Sequence, residues 1–552
     1  MTIALIFIVG ILTVSPVFML ILGSFLNDLG EFNSFTLSKY ISAYTDAEFF
    51  KIVYNTSLFV TGSAVFSTVL AIFLSYMNTR TDIPFKFLFK IISIIPMMIP
   101  HILFAVAWVL LMNPSNGILN TLFVDIFGLK DKPFDIYTLT GMILVEGLLD
   151  LPIAYLIIAP AMGSFDVSLE ESSKVCGASN LKTFFRITLP VLRPAIMASF
   201  ILVIVRSLAS FAVPSVIGMP GRIYVLSTHI YRIVSSGFSA DYGMAAAVGM
   251  SALVVSVILV YIYRYLTSET SRFVTVSSRG FNPVLIRLKS YKIPLFLVVA
   301  FLSFLLIVVP VIVLFYTSLT PYVIGPSKRA FDLMSLKNWS EVIKDPVSML
   351  SLKNSLFLGI TGATVGVALS IFISYVIVKI KSKGAGILES LSFLSFSFPG
   401  IVIGVGFMWF FVRTPLYGTI WALFIGYLAT YLPYGIRPLS SAFVQIHESL
   451  EESSRVCGAS YFTTMKRIII PLLIPGIVSS WILMSTMFFR ELTLSVVLSR
   501  PGSEVLAVQI LRFSEDGLWG KLSALGIVMI FFSSVIVVFA SIVGKKFSKI
   551  HL

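Results

Sequence analysis

The chain has 552 residues, of which 57% are hydrophobic and only 12% are charged, and its formal net charge is +14. This composition excludes an ordinary soluble globular domain, in which about 25% of the residues are charged. The excess of Lys and Arg predicts contact with anionic lipid headgroups rather than with nucleic acid.

Apolar runs that are long enough to cross a bilayer recur along the whole chain. A hydrocarbon core of about 30 Å requires roughly 20 apolar residues per helix. Twelve such runs predict an all-α polytopic membrane protein with twelve transmembrane helices, which we number span 1 to span 12. The predicted spans are 3–25, 55–78, 87–112, 139–162, 195–218, 243–266, 293–318, 355–380, 387–412, 419–443, 476–498 and 519–542.

Basic residues near the ends of the spans predict the orientation, because Lys and Arg favour the cytoplasmic side. They are concentrated in the connector between spans 6 and 7 and in the C-terminal tail. The basic residues are Arg264, Arg272, Arg279, Arg287, Lys289 and Lys292 against the single acid Glu269, and then Lys545, Lys546 and Lys549. The pattern predicts that both termini and this connector face the cytoplasm.

The chain is an internal repeat. Asn55 corresponds to Asn354 and Pro100 to Pro399, since 354 − 55 = 399 − 100 = 299. Further along, the offset falls to 281, because the connector after span 9 is shorter than the one after span 3. We therefore expect two tandem six-span halves, 1–266 and 293–552, joined by a cytoplasmic linker at 267–292. Parallel repeats of this kind place the transport pathway between the halves.

One polar decapeptide occurs in both halves. "EESSKVCGAS" begins at Glu170 and "EESSRVCGAS" begins at Glu451, in the loops 163–194 and 444–475 that the topology places in the cytoplasm. Ser168 and Ser449 open an S-x-x-E pattern, which predicts a capped short helix. Further expectations are a helix face made of Leu169, Ser173 and Cys176, a stop at Gly177 and Gly458, and a second short helix from Ser179 or Ser460 before Pro190 or Pro471.

A matched pair of bent helices suggests a docking element for a partner, although loops that merely close the helix hairpins are the alternative. The two cysteines, Cys176 and Cys457, are expected to pack as small residues on the short helices. Pro100 and Pro399 are expected to kink spans 3 and 9.

At these loops the chain resembles the permease subunits of bacterial type I ABC importers, whose signature is E-A-A, three residues, G, nine residues and I-x-L-P. Here the signature reads Glu171-Ser172-Ser173, Gly177 and Ile187 to Pro190 in the first half, and Glu452-Ser453-Ser454, Gly458 and Ile468 to Pro471 in the second. The resemblance implies a molybdate/maltose-permease-like fold in a bacterial inner membrane. It also implies that each loop is a coupling helix on one of two cytoplasmic ATPase subunits. The implied coupling residues are Glu170, Glu171, Ser172, Ser173, Gly177, Ala178, Glu451, Glu452, Ser453, Ser454, Gly458 and Ala459.

The same resemblance implies a periplasmic or lipid-anchored binding protein that delivers the substrate. The chain contains no G-x-x-x-x-G-K-[ST] phosphate loop, so we expect no enzyme activity, no catalytic residue and no cofactor on this chain. ATP and Mg²⁺ are expected on the partner ATPase.

The segment from Phe489 to Ile510 is similar to the second-half signature of fused ferric-iron importer permeases, which favours ferric iron as the cargo. The first-half counterpart, Ser207 to Arg232, departs from that pattern at Ser210, where the family often has an acid. Thiamine, polyamine and phosphonate importers share the scaffold and stay as alternatives. An ion-gradient-driven 6+6 secondary transporter is the alternative from another class. Four scattered histidines predict no resident metal site.

Ionisable residues inside spans are candidates for function. Arg206, Arg490 and Glu491 are expected to line the translocation pathway, and Glu146 and Asp150 share a face of span 4. The alternative is that these groups pair between helices and only order the bundle.

Overall fold

The computed structural model describes residues 1–27, 35–94, 96, 99–164, 166–237, 240–268, 285–395 and 398–550. The connector charges Glu269, Arg272 and Arg279 lie outside these residues, as do the side chains of Arg264 and of the tail lysines. Within the described part of the chain the structure is helical, and extended pairing is limited to two isolated bridges.

Nine helices of the described residues are long and apolar enough to cross a membrane. They correspond to nine of the predicted spans. Their bounds are Thr2–Gly23, Ala47–Arg80, Leu139–Ser164, Asn180–Ala209, Tyr242–Tyr263, Lys289–Leu319, Pro346–Ile380, Tyr461–Phe489 and Trp519–Ile542.

The other three predicted spans are built differently. Span 10 is one continuous helix, Ile420–Gln445, that runs through two prolines. Span 3 is divided into Phe87–Ile94 and His101–Met112, and span 9 is divided into Ala385–Leu394 and Gly400–Phe411. Together with the nine long helices, these agree with the twelve predicted spans.

Spans 3 and 9 are interrupted rather than kinked. Pro100 and Pro399 each occupy the position immediately before the second helix, with φ of −57° and −59°. Because proline has a φ already suited to a helix start and lacks the N–H that a helix interior needs, it begins the second segment instead of bending a continuous one.

Spans 5 and 11 begin earlier than predicted. The helices start at Asn180 and Tyr461 and end at Ala209 and Phe489, whereas the prediction was 195–218 and 476–498. The predicted second short helix after each decapeptide is confirmed at Asn180–Thr183 and at Tyr461–Thr464, with Ser179 and Ser460 as the N-caps, but it continues into the span. The chain passes directly from the bend into the span, through a π-helical turn at Phe184–Thr188 and at Met465–Ile469.

Shorter helices connect the spans. They are Ser38–Thr45, Ile118–Phe127, Ser168–Val175, Leu226–Ser235, Lys328–Asp332, Lys337–Lys344, Glu448–Val456, Ser495–Leu498 and Leu506–Glu515.

The compact units of the structure are not the sequence halves. One unit comprises residues 1–46, 229–253 and 336–552, and the other comprises residues 47–228 and 254–335. Span 1 thus belongs with the second half, where it packs on the two segments of span 9. The approach is close at Gly406, where a Cβ would lie 2.2 Å from the carbonyl oxygen of Pro16. In the other unit, Val309–Leu319 of span 7 packs on His101–Met112 of span 3.

Candidate functional site

The two decapeptides form bent loops of the same design, one in each compact unit. A short helix, Ser168–Val175 or Glu448–Val456, is followed by a turn and then by the start of span 5 or span 11. Gly177 and Gly458 have φ of +82° and +79°, the left-handed region that favours glycine. The predicted stop at these glycines is confirmed.

The helix starts differ from the predicted capping box, which is wrong in both copies. In the first loop the carboxylate of Asp166 accepts a hydrogen bond from the Ser168 N–H at 2.9 Å, and this bond lowers the pKa of Asp166. In the second loop the Nδ1 of His447 accepts from the Ser449 N–H at 3.2 Å. The serine is thus already inside the first turn, and a residue upstream of it satisfies the free backbone N–H.

The first glutamate of each decapeptide is buried and anchors its loop to the end of the second span of that half. Glu170 lies 3.3 Å from the Nε of Arg80 and accepts a hydrogen bond from the Thr188 hydroxyl at 2.7 Å. Glu170 is only 5% exposed, and Arg80 is only 3% exposed. Burying this pair is tolerable because each charge has its partner, and removing either partner from such a pair costs about 3–5 kcal/mol.

The second loop repeats the anchor with different donors. The Tyr375 hydroxyl donates to the Oε2 of Glu451 at 2.9 Å, and the Nζ of Lys379 lies 3.9 Å from Oε1. Arg455 lies 3.9 Å from the same carboxylate, one helical turn further on. The loop is therefore held against span 8 by charge and hydrogen bonding, in addition to the buried apolar cluster that Tyr375 forms with Ile446 and Met465.

Sequence reasoning missed these anchoring partners. Arg80 and Lys379 are related by 379 − 80 = 299, and Tyr76 and Tyr375 by the same offset. The repeat offset was therefore a usable signal, since a basic residue and a tyrosine recur at the matching ends of spans 2 and 8.

A second pair of hydrogen bonds fixes the angle between the two arms of each loop. Ser173 and Thr183 place their hydroxyl oxygens 3.0 Å apart, and Ser454 and Thr464 place theirs 2.7 Å apart. The predicted residues Ser173 and Ser454 thus face inward and shape the loop. The expectation that Ser173 shares an apolar outer edge with Leu169 and Cys176 is wrong, because its hydroxyl is engaged with the other arm.

Each loop exposes apolar side chains, but at positions other than the predicted ones. Val175 and Val456 are both 88% exposed, and Leu181 and Phe462 are 72% and 79% exposed. Each pair obeys the 281-residue offset. Cys176 and Cys457 are free and exposed, so the expectation that they pack is wrong. Matched exposed apolar side chains on otherwise polar loops are typical of a protein interaction site.

The remaining residues of the predicted coupling set differ in exposure. Three of them are partly exposed: Glu171, Ala178 and Ala459. The others are exposed: Ser172, Gly177, Glu452, Ser453 and Gly458.

Arg206 pairs with an acid of span 4. Its Nε donates to the Oδ1 of Asp150 at 2.9 Å, and the Ser207 hydroxyl donates to the other oxygen at 3.1 Å. One turn away, the Ser210 hydroxyl donates to Glu146 at 2.9 Å. An acid is thus present beside Ser210, and span 4 supplies it.

Glu491 has a different environment from Arg206. Its carboxylate accepts hydrogen bonds from the backbone N–H groups of Leu494 and Ser495 at 2.8 and 3.0 Å, and from the Tyr431 hydroxyl at 3.4 Å. Glu491 therefore caps the short helix Ser495–Leu498. Arg490, its neighbour, directs an Nη atom to the sulfur of Met487 at 3.2 Å.

Within the described residues, no three or more His, Cys, Asp or Glu side chains are grouped so that they could hold a metal ion.

Comparison with known proteins agrees with the duplicated architecture. The model of one family, described as "Binding-protein-dependent transport system inner membrane component", matches residues 55–272 and again residues 366–549. The chain belongs to this family. It is a fused, two-half permease of the ABC importer class and a multi-pass protein of the inner membrane.

Several relatives extend over most of the chain. The ferric transport system permease protein FbpB of Actinobacillus pleuropneumoniae is 29% identical over 499 residues, which are 88% of this chain and 70% of the relative. A putative ferric transport system permease protein, FbpB 1, of Haemophilus influenzae is 29% identical over 80% of this chain and 68% of its own length. The spermidine/putrescine permease PotC of Escherichia coli K12 is 21% identical over 44% of this chain and 90% of the relative.

Among solved structures, a bacterial ABC transporter involved in the import of the acidic polysaccharide alginate is similar over 44% of this chain and 86% of that chain. Its identity is 20% and its TM-score is 0.34.

Proposed function

We propose that this permease carries ferric iron into the cytoplasm, receiving it from a binding protein outside the membrane and drawing energy from ATP that a separate subunit hydrolyses. The observation that carries the proposal is the pair of bent loops of the same design in one fused chain. Two relatives that match most of this chain are named as ferric transport permeases. Both termini and both loops then face the cytoplasm.

The coupling surface is proposed to be the exposed apolar tip of each loop, Val175 in one and Val456 in the other. The buried anchors of Glu170 and Glu451 make each tip rigid with respect to the end of span 2 or span 8. Rigidity matters, because a loop that yields when its partner pushes on it transmits no displacement to the spans. Two copies of a cytoplasmic ABC ATPase, each with ATP and Mg²⁺, would seat one loop apiece.

The cargo proposal assigns selectivity to the binding protein rather than to this chain. A permease needs only a weak, transient route, since tight binding along the path would slow release. Arg206 and Arg490 remain proposed pathway groups, whereas the hydrogen bonds that Glu491 accepts from the Leu494 and Ser495 N–H groups favour a capping role for Glu491 over the predicted pathway role. Polyamine is the competing cargo, because the polyamine permease PotC is also similar to this chain over a shorter region.

Reconstitution tests the cargo. The chain is placed in proteoliposomes with its ABC ATPase, and the binding protein is added with ferric iron or with spermidine. We expect the iron-loaded binding protein to stimulate ATP hydrolysis and radioactive iron to accumulate inside. Stimulation by the binding protein with spermidine, and not with iron, would identify a polyamine as the cargo. Uptake by the isolated chain under an ion gradient would overturn the ATP-driven mechanism.

The coupling surface is tested with Val175→Asp and Val456→Asp. A charge on an apolar docking surface is expected to abolish transport-coupled ATP hydrolysis while the melting temperature of the permease stays within about 2 °C, because surface substitutions alter stability by less than about 0.5 kcal/mol. The matched control is Ile343→Asp, the same change at an aliphatic side chain that is 61% exposed on another helix. Full coupling in both loop variants would contradict the assignment.

A further inference from the structure

An apolar groove of about 540 Å³ lies beside the first bent loop, within the unit that contains residues 47–228 and 254–335. One wall is the end of span 2, with Val69, Ile72 and Phe73. The second wall is the start of span 5, with Leu181 and Phe185. Val69 is 59% exposed on the membrane-spanning helix, so the groove reaches the surface that faces lipid.

The third wall is a short segment of the connector between the halves, and it is tied to the end of span 2. Ile286, which lines the groove, donates its N–H to the carbonyl of Arg80 at 2.9 Å. Leu288, which also lines it, donates its N–H to the carboxylate of Asp82 at 2.9 Å. Lys292 reaches the same carboxylate at 3.2 Å. The wall is therefore a formed structure rather than a loose strand.

The bonds from Leu288 and Lys292 to Asp82 belong to the first half. The residue that corresponds to Asp82 in the second half is Lys381, since 381 − 82 = 299, and Lys381 pairs with Glu448 at 3.5 Å. The Leu288 N–H and Lys292 lower the pKa of Asp82, so its carboxylate is ionised at neutral pH.

Three basic residues each directly follow a residue that lines the groove, and we call them the basic rim: Lys182 follows Leu181, Arg186 follows Phe185, and Lys289 follows Leu288. Lys182 and Arg186 are one helical turn apart, and they flank the face of the helix that carries Leu181 and Phe185. Lys289 follows the third wall. All three side chains are exposed, and none of them has an ion pair or other polar side-chain partner in the described part of the chain.

We propose that this groove binds one anionic phospholipid, with an acyl chain against the apolar walls and the headgroup phosphate at Lys182 and Arg186. The apolar interior suits an acyl chain, and a basic rim at the membrane surface suits an anionic headgroup. The volume lies in the range of about 300–1,000 Å³ typical of small-molecule sites. A bilayer lipid is the occupant because one wall is the lipid-facing surface of a span. The bound lipid would then contact span 2, the connector and the first bent loop together.

The test is binding of phosphatidylglycerol and of phosphatidylcholine to the purified full chain in detergent, measured by native mass spectrometry. We expect retention of one phosphatidylglycerol. Because each basic side chain near a membrane surface contributes about 1 kcal/mol, the double variant Lys182→Gln with Arg186→Gln is expected to bind it roughly 30-fold more weakly. The matched control is Lys466→Gln with Arg467→Gln, at the corresponding turn of span 11, and it is expected to bind as the wild type does.

A second variant keeps the test independent of the charges. Ile72→Trp fills the groove and is expected to remove the lipid while leaving the basic rim intact. Equal affinity for phosphatidylcholine, equal loss in the control variant or full retention in Ile72→Trp would each overturn the proposal.

Discussion

At the scale of single residues, the departure from the family pattern at Ser210 has a local explanation. Glu491 is the residue that corresponds to Ser210, since 491 − 210 = 281, and its carboxylate accepts from the N–H groups of Leu494 and Ser495. Ser495 corresponds to Pro214, which has no N–H to donate. An acid at residue 210 would therefore lack one of its donors, whereas a serine there can donate to Glu146.

This reasoning predicts that Glu491 is mainly a capping residue. Glu491→Gln replaces a group that only accepts hydrogen bonds with one that carries an oxygen and an NH₂, so one buried backbone N–H loses its acceptor. We expect the free energy of unfolding to fall by about 1–3 kcal/mol, with the uptake rate per folded molecule unchanged. Thermal unfolding in detergent and uptake in proteoliposomes measure the two quantities.

The reciprocal change serves as the control for that prediction. Ser210→Glu adds a second buried carboxylate beside Glu146 without a backbone donor at Pro214, so it is expected to destabilise the protein rather than to restore a family feature. Loss of uptake in Glu491→Gln at unchanged stability would instead support the pathway assignment of Glu491.

At the scale of elements, the π-helical turns decide how each bent loop joins its span. Leu189 donates its N–H to the carbonyl of Phe184, and Ile470 donates to Met465, each five residues back. Pro190 and Pro471 follow directly and cannot donate to the carbonyl four residues back. The extra residue in the turn rotates the loop by about 100° relative to a regular α-helix. The two prolines thus favour the π-helical turn and, with it, the orientation of the loops.

Replacing Pro190 and Pro471 with alanine is predicted to misdirect the loops. With the N–H restored, a regular α-helix is available and is favoured by roughly 3 kcal/mol per residue over proline. We expect ATP-coupled uptake to fall while thermal stability is maintained or raised. Pro194→Ala with Pro475→Ala, the next proline in each span, is the control and should leave coupling intact. Equal coupling in both double variants would show that the turns do not orient the loops.

The elements also show what the sequence could and could not predict. Apolar runs predicted the spans, and the glycines predicted the bends, because both are local properties of the chain. The starts of spans 5 and 11 lie 15 residues upstream of the predicted starts (195 − 180 = 476 − 461 = 15). The apolar runs did not reveal these starts, because the N-terminal ends of both helices carry charged residues such as Lys182 and Arg467. The buried pairing of Glu170 with Arg80 depends on tertiary contact across 90 residues (170 − 80), and only the repeat offset hinted at it.

At the scale of the whole molecule, the two repeated halves of the sequence do not coincide with the two compact units of the structure. Each compact unit contains a first span from the other half: span 1 lies with residues 336–552, and span 7 lies with residues 47–228. Leu5 and Val9 of span 1 are buried in a cluster with Leu388 and Ile436 of the second half. A half without its partner would expose these apolar faces to other proteins and would lose the contacts that position span 9.

Splitting the chain at residue 276 tests this interdependence. Because each fragment supplies a span to the unit built mainly from the other, we expect co-expressed fragments 1–276 and 277–552 to purify together through a tag on either one. Each fragment expressed alone should be degraded or aggregated, since the buried positions of span 1, such as Val9 and Leu20, find no partner. The intact chain with the tag inserted at the same site controls for the disturbance of the connector. Two fragments that are each stable and monodisperse alone would contradict the exchange of first spans, because every unit would then be complete within one half.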